Sequence, residues 1–221
     1  MVAPAFAAAG DYLTAGTGTS HVIDAPASVG ALDIVLVHIY IESNTAVTAP
    51  GTFTEIPTAP FTSGPTSGQR VFWDRGPAGS SYTFTTGVSV FREAVATRYT
   101  GCITTGTPYD TGAGAPASAQ RSSNGTTTPA VSLTTQGPDR LLVWSGGNVA
   151  TGAWTPPTGF DERVDTGSEL TVATDELAVA GATGSITGSS AGSGFQTAFL
   201  LALLPIPDEG FVRRRSPNYR R

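Results

Sequence analysis

The stretch Ala31-Leu-Asp-Ile-Val-Leu-Val-His-Ile-Tyr-Ile-Glu42 decides the fold. It is rich in β-branched residues and apolar on both faces: Leu32, Ile34, Leu36 and Tyr40 fall on one side, Val35, Val37, Ile39 and Ile41 on the other. A strand wetted on one face alternates apolar with polar residues, so this one is expected to be covered on both sides, as a long central strand. Ser81–Thr85 reads differently. Tyr82 and Phe84 point one way and Ser81, Thr83 and Thr85 the other, the pattern of a half-buried antiparallel strand. Further strands are expected near His21–Ile23, Phe53–Ile56, Arg70–Asp74, Phe91–Tyr99, Val131–Thr134, Leu141–Trp144, Leu170–Ala178 and Phe195–Leu204. Clusters of Gly, Pro, Ser and Thr turn the chain between them.

Composition agrees. The 221 residues include 27 Gly, 16 Pro and 33 Thr, and no Lys. Charged residues are 13% of the chain, against roughly 25% in ordinary soluble domains. That usage excludes coiled coils and long helices. An apolar content of 39% is too high for a disordered chain. The lone Cys102 excludes an intramolecular disulfide framework and a zinc finger. The apolar run Ala198–Pro205 is far shorter than the ~20 residues of a membrane helix. The first ten residues have no basic start and contain Pro4, so they are expected to belong to the mature protein.

An internal repeat organises the chain. Asp33-Ile-Val-Leu-Val37 recurs as Asp139-Arg-Leu-Leu-Val143, Thr48-Ala-Pro-Gly-Thr-Phe-Thr-Glu55 as Thr155-Pro-Pro-Thr-Gly-Phe-Asp-Glu162, and Val71-Phe-Trp-Asp74 as Val172-Ala-Thr-Asp175. Two halves, near 27–102 and 130–205, are expected to be joined by a loop over 104–128. Each is small for a separate core, and together they supply the ten or so strands of one antiparallel β-sandwich spanning 1–206.

No catalytic set is evident, and the chain is not read as an enzyme. A hydrolytic triad needs a histidine within reach of a nucleophile and a carboxylate. His21 and His38, the two histidines, both fall in expected strands. Asp161-Glu162 and Asp175-Glu176 are adjacent carboxylates, which on a strand point to opposite faces and cannot flank one bond. No metal-ligand spacing, phosphate loop or dinucleotide fingerprint appears, so neither cofactor nor metal is expected. Trp154 and Phe160, in a Pro-rich loop, are the candidates for a glycan-stacking platform. Trp73 and Trp144 lie in strands and are read as core.

Charge is segregated. Residues 1–206 hold seven Arg against fifteen acids, a net −8, whereas 207–221 hold five Arg against two acids. Phe211, Arg213, Arg214, Arg215, Tyr219, Arg220 and Arg221 therefore make a candidate partner-binding arm, with Arg able to grip carboxylates of a neighbour bidentately. The acidic body disfavours nucleic acid.

The segments Gly30–Val37, Thr48–Glu55, Val71-Phe-Trp73, Ser81-Tyr-Thr-Phe84, Ala96-Thr-Arg-Tyr-Thr-Gly101, Trp154–Arg163 and Asp175-Glu176 resemble minor tail and other virion structural proteins of phages from high-GC bacteria. The resemblance covers roughly residues 11–205. It implies a jelly-roll-like β-sandwich, a place in a virion, in the tail before the capsid, and other virion proteins or further copies of the chain as partners. It implies no catalytic residues. A capsid decoration protein and a carbohydrate-binding module for host cell-wall glycan are the alternative readings.

Overall fold

Every residue from Ile34 to Ile41 is buried, as a strand apolar on both faces requires. The computed structural model describes residues 2–13, 16–43, 45–57, 68–90, 92–113, 115–121, 123–165, 167 and 169–208. Its strands are β1 (Ala5–Ala9), β2 (Gly18–Asp24), β3 (Ile34–Ile41), β4 (Val47–Thr48), β5 (Thr54–Glu55), β6 (Gly68–Arg75), β7 (Ser81–Val90), β8 (Arg92–Thr100), β9 (Ala117–Gln120), β10 (Gly125–Thr127), β11 (Arg140–Asn148), β12 (Trp154–Thr155), β13 (Asp161–Asp165), β14 (Leu170–Leu177), β15 (Ser189–Gly194) and β16 (Gln196–Leu203). The fold is all-β and its strand pairings are antiparallel.

The strands form two five-stranded sheets, β1-β8-β3-β6-β5 and β13-β14-β11-β16-β9, and two three-stranded sheets, β2-β7-β4 and β10-β15-β12. Setting β9–β16 against β1–β8 in order turns one pair of sheets into the other. Each half is thus an eight-stranded, jelly-roll-like sandwich. In the first half Val35, Val37, Ile39 and Ile41 pack with Ile23, Phe72 and Phe84. In the second, Leu142, Trp144 and Leu200 pack with Trp154, Phe160 and Ile186. The opposite faces of the two five-stranded sheets meet in a third, shared core, which joins Ile34, Leu36, Tyr40 and Tyr99 to Leu141, Val143, Phe199 and Leu201. The sandwich class is as expected, but there are four layers instead of two.

The halves also begin earlier than the apolar pattern indicates. Strands of the first run from Ala5 and of the second from Ala117, so the segment 104–128, read as a loop, contains β9 and β10. These strands are made of Ala, Ser, Gln, Gly and Thr and lie at sheet edges. Edge strands bury little, so no apolar alternation marks them. Val131–Thr134, expected as a strand, makes only isolated bridges, from Val131 to Ile186 and from Thr134 to Ala182.

Pairing corrects the repeat by one residue. In the first half His38 pairs with Val71; in the second Ser145 pairs with Val172. With Val71 matched to Val172, His38 is therefore the counterpart of Ser145, whereas matching Asp33 to Asp139 would make it the counterpart of Trp144. A shift of one residue exchanges the two faces of a strand. Leu36 lies in the shared core but Leu142 in the outer one, so the shift is needed.

Counterparts meet across the shared core. His38 Nδ1 lies 3.1 Å from Ser145 Oγ, and the Tyr40 ring closes on Gly147. Contact between equivalent positions is what a two-fold axis produces in an isologous dimer. The two halves therefore pack as a dimer would, within one chain.

Gly147 is required by that contact. A Cβ there would meet the Tyr40 ring and stand 2.6 Å from Thr197 Oγ1. Gly147→Ala should destabilise the protein by about 1–3 kcal/mol through overpacking, seen as a lowered midpoint of urea unfolding. Gly87→Ala, at a site with open space around it, should leave the midpoint within about 0.5 kcal/mol of the parent.

Candidate functional site

Two clefts occupy corresponding places in the two halves. In each, a turn connects the short strand to the five-stranded sheet: Phe53 N–H donates to the Pro50 carbonyl at 3.3 Å, and Phe160 N–H to the Pro157 carbonyl at 3.0 Å. The following residues pair alike, Thr54 with Trp73 and Asp161 with Thr174. One residue further along β6 and β14 stand Asp74 and Asp175. The first cleft, of about 270 Å³, is lined by Pro50, Phe53, Asp74 and Tyr82 among others. The second, of about 260 Å³, is lined by Pro157, Phe160, Asp175, Ser185 and Thr187 among others. A further hollow of about 360 Å³ borders it across Ala182 and Ser185.

The aspartates differ in their surroundings. Asp74 accepts hydrogen bonds from the Thr52 hydroxyl and, at 2.7 Å, from the Arg75 N–H. Gly159 stands where Thr52 does, so Asp175 has no such hydroxyl beside it. Burial pushes the Asp175 carboxyl above the ordinary carboxylate range. A hydrogen bond from the Glu176 backbone opposes that shift, and the charges of Asp161 and Glu176 add to it. Each of the two Asp74/Asp175 clefts holds one lining carboxylate, which can accept hydroxyl protons but lacks the second carboxylate that glycoside cleavage requires.

The second polar cluster is sealed inside. Thr197 Oγ1 donates to Gln69 Oε1 at 3.2 Å, and Gln69 Nε2 donates to Ser145 Oγ at 2.5 Å. Ser145 Oγ and His38 Nδ1 share the next hydrogen bond, at 3.1 Å, on an imidazole ring edge-on to Phe199. The chain of hydrogen bonds alternates between the halves. His38 and Ser145 are fully buried, so this serine–histidine pair meets no substrate. Burial lowers His38 to about 3, and the ring is neutral at physiological pH.

Beside this seam, Glu93 and Glu169 are both buried. The Glu93 carboxylate accepts the Glu169 N–H at 2.7 Å. Burial first, then the charges of Glu93 and Glu42, raises the Glu169 carboxyl to about 8. At neutral pH Glu169 is therefore mostly protonated.

The residues singled out from sequence fall as follows. Trp154 is buried, its ring edge-on to Trp144 at 6.3 Å. It forms part of the second half's core, and an exposed platform at Trp154 is corrected on that account: the indole follows β12 inward. Phe160, its companion, lines the second cleft. Cys102 is a buried hydrophobe as expected, and burial pushes its thiol up to about 12. Among the described residues no group of three metal-binding side chains occurs. Phe211, Arg213, Arg214, Arg215, Tyr219, Arg220 and Arg221 lie outside the described residues.

Sequence reasoning missed the pairing of Asp74 with Phe53 and of Asp175 with Phe160. The signal was present in the repeat, because Pro50/Pro157, Phe53/Phe160 and Asp74/Asp175 are among the six identities that its second and third matches share. Compared with family models, with curated proteins and with solved structures, the chain gives no match.

Linkage gives the pH dependence. Glu169 binds its proton more tightly in the folded state, so its contribution is complete below the ordinary 4.5 and is lost as pH rises through about 8. His38 acts oppositely, its contribution being lost as pH falls below 6.5. Above about pH 6.5 His38 no longer opposes the Glu169 effect. Urea midpoints should fall between about pH 6.5 and 8.5, and Glu169→Gln should flatten that slope.

Proposed function

We propose that this chain is a structural component of a bacteriophage particle, a minor tail protein acting in assembly, stability or host-surface contact. The observation that carries the reading is the tandem, jelly-roll-like pair welded through a shared apolar core. Such a block spends its buried chemistry on rigidity: the polar seam links the halves and offers no route to solvent. The chain's resemblance to virion proteins of high-GC phages supports the same reading.

Attachment to the particle falls to two features. The outer three-stranded sheets present Thr- and Ser-rich faces, with Val22 and Val88 exposed on the first. The Arg-rich segment supplies cations to a neighbour's carboxylates, and the acidic body of a second copy is a suitable partner.

Removing residues 207–221 should leave the β-rich circular dichroism spectrum and the unfolding midpoint of the sandwiches intact while abolishing incorporation into particles, measured by quantitative mass spectrometry of purified virions. Normal amounts of truncated protein in those particles would overturn the arm's role. Immunogold labelling of intact particles should place the chain on the tail, and labelling confined to the head would assign it to the capsid.

A further inference from the structure

The Asp175 cleft and its Asp74 twin carry matching residues within one chain. Beneath them the cores have diverged: the neighbouring pair Val37 and Phe72 has become Trp144 and Ala173. The rims have kept Pro, Phe and Asp at matching places. A purely structural role would account for Asp74, which fastens the Thr52 turn. It accounts less well for Asp175, which takes a backbone hydrogen bond from Glu176 but has Gly159 where Thr52 stands.

We propose that both clefts bind neutral sugar rings, the Asp175 cleft more tightly because its carboxylate is open to a ligand. The chemistry selects the class. A carboxylate accepts hydrogen bonds from two neighbouring hydroxyls of a pyranose, Ser185 and Thr187 add hydroxyls that both donate and accept, and Phe160 and Pro157 supply an apolar wall for the C–H face of the ring. Anionic ligands are repelled by the aspartate and by the net −8 of residues 1–206. One carboxylate is too few oxygen ligands for calcium. With a single carboxyl group per cleft, the sugar is bound and not cleaved. The neighbouring hollow at Ala182 and Ser185 gives a second ring room to continue. Two sites in one chain raise the strength of attachment to a repetitive glycan without any new contact.

The inference stands on the clefts and does not depend on the virion reading, since binding is measured on the isolated, full-length chain. Saturation-transfer NMR with D-galactose, D-glucose, D-mannose and N-acetyl-D-glucosamine, each titrated alone, should reveal saturable millimolar binding of at least one. Asp175→Ala should weaken that binding about tenfold. Ser185→Trp, an exposed position whose new indole fills the cleft, should do the same without touching the core. Circular dichroism and the unfolding midpoint check that both variants are folded. Failure of all four sugars to bind would overturn the proposal. So would binding that both variants leave unchanged, or equally tight binding of D-glucuronate.

Discussion

Everything else in this molecule depends on the closure of two five-stranded sheets over one another, with Tyr40 seated on Gly147. Each half encloses an outer core of its own, yet the inner faces of β3 and β11 carry Ile34, Leu36, Leu141 and Val143, which neither half can cover alone. At roughly 25 cal/mol per Å² of apolar surface, exposing such a face would cost many kilocalories, so the halves are committed to one another. Tyr40 can reach the middle of that interface only because its counterpart has no side chain.

Near a two-fold axis identical residues must face each other, which is an awkward constraint for bulky or polar groups. Fusing both halves into one chain releases it. Tyr40 is opposed by glycine, and His38 by a serine small enough to leave a hydrogen bond. Two tyrosines at these positions would collide, and two histidines would crowd the seam. The same freedom appears in the outer cores. Val37 beside Phe72 and Trp144 beside Ala173 fill similar space with the large residue on opposite strands, a volume-conserving exchange. Trp144 in turn requires glycine at 146 and 188, where a Cβ would stand 2.7 Å from its ring at the first and 2.8 Å from its Cζ2 at the second.

Against this divergence, the persistence of Pro50/Pro157, Phe53/Phe160 and Asp74/Asp175 at the rims separates what packing demands from what it does not. Packing tolerates many volume-conserving exchanges. A ligand recognises particular atoms, and the Asp175 carboxylate lines its cleft with Gly159 where Asp74 has Thr52.

The sequence by itself determined the all-β class, the central strand Ile34–Ile41, the inward Tyr82 and Phe84 of β7, the burial of Cys102, and the existence of two related halves. These follow from side-chain periodicity and from repetition along the chain, which are local and need no partner. It did not determine β9 and β10, whose small residues pair at sheet edges without an apolar signature. It placed the Asp33 and Asp139 segments one residue out of register, because adjacent apolar residues match equally well on either face until the strands beside them are known. Trp154 was legible as an aromatic in a Pro-rich loop, but its direction was set by the glycines that make room for the two indoles. The number of layers, the meeting of counterparts at His38 and Ser145, and the conversion of two scattered motifs into matching clefts were decided by tertiary structure alone, since each joins residues far apart in the chain through contacts that only the packed sheets create.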